Sequence, residues 1–119
     1  MAAKDDLGKK GEELAVQYLV AHGFQLIERN WRCAQGEIDV IVRQGGSVVF
    51  VEVKTRSSTA YGHPFEAITV SKMARMRRLA AAWCEQAAQR PADIRIDAIA
   101  IVAPRDAAAQ IEHLQGVFR

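Results

Sequence analysis

Long apolar runs are missing from this chain of 119 residues. No stretch approaches the roughly 20 consecutive apolar residues of a membrane-spanning helix, and the polar start MAAKDDLGKKGEE lacks the apolar centre of a signal peptide. Cysteine is scarce. Cys33 and Cys84 fall in an expected loop and an expected helix, which suits reduced thiols in a cytoplasmic protein and excludes a disulfide scaffold or a zinc site. His22, His63 and His113 stand apart, without metal-ligand spacing. Strong charge of one sign is absent too: the formal net charge is +2, so any evidence for a partner lies in how charge is distributed. There are no repeats, low-complexity tracts or linkers, and the length suits a single domain over 1–119 with a real core.

What is present is concentrated in residues 36–54, GEIDVIVRQGGSVVFVEVK. Ile38–Val42 and Val48–Val53 are β-branched apolar runs, and Gly45-Gly46 between them reads as a tight hairpin turn. Such a turn sets Asp39 opposite Glu52, Glu37 opposite Lys54 and Ile41 opposite Phe50. The other face then carries Ile38, Val40, Val42, Val49, Val51 and Val53. On this reading one face serves the core and the other serves chemistry. Like charges directly across a ladder repel, with Cβ atoms roughly 5 Å apart. A bound cation, a nearby lysine or a raised carboxylate pKa has to offset that repulsion. Two hard oxygen ligands at this separation suit Mg2+ or Mn2+, which keep several waters. Lys54 points to the same face as Glu52, where an ammonium could orient a water or neutralise charge on a phosphorus oxygen. The plainer alternative is a surface hairpin whose acids pair with Lys54 and Arg43.

The element order reads α-β-β-β-α-β-β. A helix is expected from about Asp5 to His22, with Leu7, Gly11, Leu14, Ala15, Tyr18 and Leu19 on one stripe and Gly23 as its stop. Phe24–Arg29 reads as a strand and residues 30–36 as a loop before the hairpin. Residues 55–65, TRSSTAYGHPF, form a polar connection, the segment expected to be mobile. A second helix is expected over Ser71–Gln89, with Met73, Met76, Ala80, Trp83 and Ala87 as its stripe and Pro91 beyond it. Ile94–Val102 alternates as a strand, and Gln110–Leu114 forms a short last one.

Two features outside the hairpin bear on function. Glu12 borders the apolar stripe of the first helix, where it could reach a site at the sheet; spacing alone favours a solvated glutamate. The second helix opens with Lys72, Arg75 and Arg78 spaced by three, with Arg77 beside them. Such a stripe can track a phosphate backbone, and it can equally be a solvated face.

The set Gly8-x-x-Gly11-Glu12, Gly36-Glu37-Ile38-Asp39, Phe50-Val51-Glu52-Val53-Lys54-x-Arg56, Glu66-Ala67 and Lys72 resembles the YraN family. That small bacterial family is similar in its core to archaeal Holliday junction resolvases and restriction endonucleases, within the PD-(D/E)XK nuclease superfamily. The resemblance runs from Gly8 to Phe118. It implies an α/β fold of restriction endonuclease-like type, a central mixed sheet flanked by helices. It also implies that Asp39 and Glu52 are metal-binding acids, Lys54 the catalytic lysine, and the Val53 carbonyl a main-chain ligand. Glu12 matches the helix glutamate of the resolvase-like branch. Glu37 belongs to the YraN pattern without being required by the superfamily's metal site, and a pair with Lys54 is its structural alternative. Glu66, Lys72, Arg95, Asp97 and His113 are read as holding the fold or touching phosphate.

The expected function is therefore a nuclease acting on DNA, branched or otherwise structured, with Mg2+ or Mn2+ held by Asp39, Glu52, Val53 and Glu12. Arg56, Lys72, Arg75 and Arg78 would hold the nucleic acid backbone. A chain this small leaves little surface for a large substrate unless it dimerises, and resolvase-like relatives commonly do so. The alternatives are a nucleic-acid-binding or assembly module that keeps the nuclease core without turnover, and a fold-only resemblance with a protein partner.

Overall fold

The computed structural model describes residues 2–60, 62–88 and 90–118. Helix α1 (Ala2–Ala21) leads into strands β1 (Gln25–Cys33), β2 (Gly36–Gln44) and β3 (Ser47–Arg56). A 3-10 turn (Pro64–Ala67) precedes α2 (Val70–Gln86), and β4 (Asp93–Val102) and β5 (Gln110–Phe118) complete the chain. The five strands form one sheet in the order β1-β2-β3-β4-β5. All neighbours are antiparallel except β3 and β4. Parallel neighbours need a crossover, and α2 supplies it. This is the expected α/β restriction endonuclease-like core: a mixed sheet with a helix on each face.

Each helix buries one stripe. Ala15, Val16 and Leu19 of α1 pack on Val40, Val42, Val49, Val51 and Val53, together with Ile99 and Ile101. Met73, Met76, Leu79, Ala80 and Trp83 of α2 pack on Ile38, Ile41, Val48, Phe50 and Ile96. Both faces of the hairpin are therefore core. The expected division into an apolar and a chemical face fails, because a central strand with a parallel neighbour is covered on both sides. Ile41 and Phe50, placed by sequence on the chemical face, are wholly buried. Chemistry is left with one end of the hairpin.

Local signals explain where the elements stop. Gly23, at φ +89°, ends α1 in the left-handed conformation that glycine adopts without a steric cost. The Thr69 side chain accepts the Lys72 N–H at 3.1 Å and caps α2. At Gly11 a Cβ would lie 1.8 Å from Thr55 Oγ1, so only glycine lets α1 approach β3 this closely.

Several boundaries differ from the sequence reading, among them the start of α1, at Ala2 rather than Asp5. The expected loop over residues 30–36 is mostly strand: Trp31, Arg32 and Cys33 pair with Ile38, Glu37 and Gly36 around a turn at Ala34-Gln35. Neither turn residue announces such a turn. Helix α2 stops at Gln86, because Ala87 is extended, and Gln89 lies outside the described residues. Strand β5 runs on to Phe118, carried past a register shift between Ile96 and Ala98. No helix among the described residues is long and apolar enough to cross a membrane.

Candidate active site

The β2–β3 ladder keeps the expected register from Gln44↔Ser47 to Val40↔Val51, and there the recorded pairing ends. Beyond it β2 continues to pair with β1, and β3 with β4. The Val53 N–H, which a longer ladder would use, donates instead to Asp39 Oδ2 at 2.9 Å. The sheet thus forks, and the Asp39 carboxylate closes the crotch of the fork. Within an extended strand the N–H and C=O of one residue point to the same edge. The Val53 carbonyl consequently also faces the gap.

A second irregularity shapes the fork from the β1 side. Asn30 adopts φ +51°, the one positive-φ residue other than glycine among those described. It lies between the pairs Arg29↔Val40 and Trp31↔Ile38, at the level of Asp39. Side-chain alternation breaks at this level: Val40 packs under α1 while Ile38, two residues earlier, packs under α2. Asn30 Nδ2 donates to Glu12 Oε1 at 2.9 Å, tying α1 to the fork.

Glu12, Asp39, Glu52, Val53, Lys54 and Arg56 line one cavity of about 440 Å³, with Leu7, Gly8, Thr55, Ser57 and Ser58. Lys54 Nζ stands 3.8 Å from Glu52 Oε2. Glu37 does not face Lys54 as the hairpin arithmetic predicts. It pairs at 3.5 Å with Arg32, because β2 has turned to its β1 partner at that level. Lys72 and Arg75 lie outside the cavity lining but close enough to Glu52 for their charges to lower its pKa. Arg78 is exposed on α2 and takes no part in the lining.

The electrostatics are those of crowded acids leaving water. Burial, then the Asp39 charge, push the Glu52 carboxyl up to about 7, with Lys54 the strongest of the cations opposing them. Burial also raises Asp39, and the Val53 N–H opposes it by bonding the ionised form. Glu12 is raised by burial, then by Asp39 and Glu37. Asp39 and Glu52 titrate as a pair, and near neutral pH the pair retains part of a proton. Such clustering of raised acids in a cavity marks functional sites more often than structural ones.

A hard divalent cation suits this donor set. Two carboxylates and a backbone carbonyl facing one gap supply three oxygens and leave room for water, as Mg2+ and Mn2+ prefer. Among the described residues, no group of three or more His, Cys, Asp or Glu side chains converges into a cation cage. Glu12 therefore shares the cavity without joining Asp39 and Glu52 in one tight cluster.

The family model described as "Uncharacterised protein family UPF0102" matches residues 11–101. A UPF0102 protein of Leifsonia xyli subsp. xyli (strain CTCB07) is 53% identical over 117 residues, covering 98% of this chain and 99% of the relative. UPF0102 proteins of Arthrobacter sp. (strain FB24) and Beutenbergia cavernae are 50% and 51% identical over 117 residues, each with the same coverage. This chain belongs to the UPF0102 family. That is the YraN family of the motif resemblance. The matched segment runs from Gly11, at the α1–β3 contact, through every cavity-lining acid and the basic stripe of α2.

The other polar residues singled out by sequence in this UPF0102 chain hold the fold. Asp97 is fully buried and accepts from Arg95 at 2.8 and 3.0 Å, from His113 Nε2 at 2.7 Å and from the Gly116 N–H at 2.9 Å. Burial raises its pKa, and these donors outweigh burial, so the net shift is downward. Tyr18 Oη lies 3.1 Å from the other His113 nitrogen, which links α1 to β5. Glu66 completes a reciprocal cap on the 3-10 turn with His63, and His63 reaches Glu112 on β5. The polar connection is thereby anchored at its end. Sequence reading missed Asn30; its sole signal was that asparagine tolerates left-handed backbone better than other side chains with a Cβ.

Proposed function

We propose that this chain is a divalent-metal-dependent nuclease that hydrolyses phosphodiester bonds in DNA, including branched or otherwise structured DNA. One observation carries the reading: two largely buried carboxylates of raised pKa, Asp39 and Glu52, sit at a forked sheet with Lys54 3.8 Å from Glu52. A fold stabilises such a pair poorly, and a cation with a phosphate beside it offsets the repulsion.

Asp39, Glu52 and the Val53 carbonyl would hold the ion, with Glu12 contributing from α1. When bound, Mg2+ or Mn2+ supplies Lewis-acid polarisation of a phosphoryl oxygen and makes a water more acidic. Lys54 orients the attacking water and neutralises charge that develops on the phosphorus oxygens. Lys72, Arg75 and Arg78 on α2 bind the backbone away from the reacting phosphate without reading sequence. Free Cys33 and Cys84 suit a cytoplasmic location, and a homodimer would widen the surface offered to a large substrate.

The test is a panel of junction, flap and linear DNA incubated with Mg2+ or Mn2+. Cleavage by wild type, and its loss in Asp39→Asn and Lys54→Ala, is the expected result; cleavage that both variants retain removes the assignment. The second reading, a nucleic-acid-binding or assembly module without turnover, draws on the lack of a three-side-chain cation cluster among the described residues. Tight DNA association with no heat of Mg2+ or Mn2+ binding would favour it.

A further inference from the structure

Charge in the cavity is unevenly committed. Lys54 stands against Glu52, whereas Arg56, the other lining cation, makes no ion pair among the described residues. Arg56 is half-buried, and its carbonyl accepts the Ala103 N–H at 2.8 Å, which fixes the backbone at the end of β3. Ser57 and Ser58 follow it on the cavity wall. Ser58 Oγ accepts the Ala60 N–H at 3.3 Å through a lone pair, which leaves its hydroxyl proton free to donate. A half-buried guanidinium beside two hydroxyl donors, with no carboxylate partner among the described residues, is a site built for an oxyanion.

Spacing separates this anion position from the acid pair. Glu52, Lys54 and Arg56 alternate along β3 and share a sheet face, so Arg56 stands roughly 13 Å along the strand from Glu52. Lys54 lies between them and addresses the phosphate at the acid pair, which leaves the guanidinium for a neighbouring one. We propose that Arg56, Ser57 and Ser58 form a second phosphate subsite, so that the substrate class is a strand carrying at least two adjacent phosphates. The proposal rests on the nuclease reading for the first phosphate and adds the second. The neighbouring group is either an internal diester or a terminal monoester.

The experiment measures binding alone, by calorimetry in metal-free buffer, for the thymidine ligands TpT, pTpT and TpTpT. Wild type binds at least one of the two-phosphate ligands about tenfold or more tighter than TpT, the size expected of hydrogen bonds to a charged group. In Arg56→Gln that preference falls below about threefold, and Arg56→Lys keeps an intermediate preference. Arg43→Gln, which removes the same charge from an exposed position on β2, leaves the preference intact. A preference confined to pTpT identifies a terminal phosphate and one that includes TpTpT an internal one, and both uphold the subsite. No preference in wild type, a preference that survives Arg56→Gln, or one that Arg43→Gln abolishes equally, overturns it. Because nothing is cleaved, a protein that fails the DNA panel can still carry the subsite, and an absent subsite leaves the panel result standing.

Discussion

Glu52→Gln should stabilise the metal-free protein at alkaline pH. The Glu52 side chain is 13% exposed, so its electrostatic cost is largely unscreened. An acid with a folded pKa above its unfolded one binds its proton more tightly in the native state. Its stabilisation is then complete below the unfolded value, about 4.5, and is lost as pH rises through the folded value of about 7. A rise of that size corresponds to about 3 kcal/mol lost between acid and pH 8. Glutamine keeps the shape and a donor without the charge, but it forfeits the ion pair with Lys54, so about 2 kcal/mol is the expected net gain. For a domain of this size that is a rise of roughly 8 °C in Tm. The assay is thermal unfolding of both proteins from pH 4.5 to 8.5 with chelator present. Their difference isolates Glu52 from other titrating groups. The curves should coincide near pH 4.5 and separate through pH 7, and adding Mg2+ or Mn2+ at pH 8 should raise wild type alone. A variant no more stable than wild type at pH 8 would refute the claim that Glu52 is a desolvated acid held at a cost.

Asp97→Asn should act in the opposite sense, destabilising by about 3–5 kcal/mol at pH 7, because it leaves the Arg95 guanidinium without its buried partner. The lowered Asp97 pKa makes that stabilisation present above its ordinary 3.8 and lost as pH falls through the lower folded value. Urea melts should therefore show the variant's deficit shrinking at pH 3; a deficit independent of pH would count against an ionised Asp97. At Asn30 the left-handed backbone is testable by a pair of substitutions. Both Asn30→Gly and Asn30→Val lose the bond to Glu12, and Asn30→Val should be about 1–2 kcal/mol less stable than Asn30→Gly, since a β-branched side chain is strained at φ +51°. Equal melting of the two variants would mean that the backbone there is not left-handed.

The hairpin was legible because β-strand periodicity and a glycine turn are local. Gly45-Gly46 sets the register of β2 on β3, and that register holds through Val40↔Val51. The helix stripes and the crossover were readable for the same reason: which side chains share a face depends on spacing of a few residues. Legibility ended where one backbone group chose between distant partners. Nothing near Val53 says that its N–H will bond a carboxylate rather than a carbonyl. Beyond asparagine's tolerance of left-handed backbone, nothing near Asn30 says that a strand will turn there to reach Glu12 on a helix 18 residues earlier.

The burial of both hairpin faces was hidden for a related reason. Val40 and Phe50 are equally apolar, and only the arrival of α1 on one side and α2 on the other makes both faces core. Sequence by itself determined the candidate residues, the β2–β3 register and the family, since those follow from residue type and short-range spacing. The tertiary structure decided how the acids meet. The fork in the sheet puts Asp39 against the Val53 N–H, buries Glu52, turns Glu37 away to Arg32 and brings Glu12 across from α1. Apart from the Glu37–Arg32 pair, which spans a short turn, those are long-range contacts, settled by packing of the whole chain rather than by any segment of it.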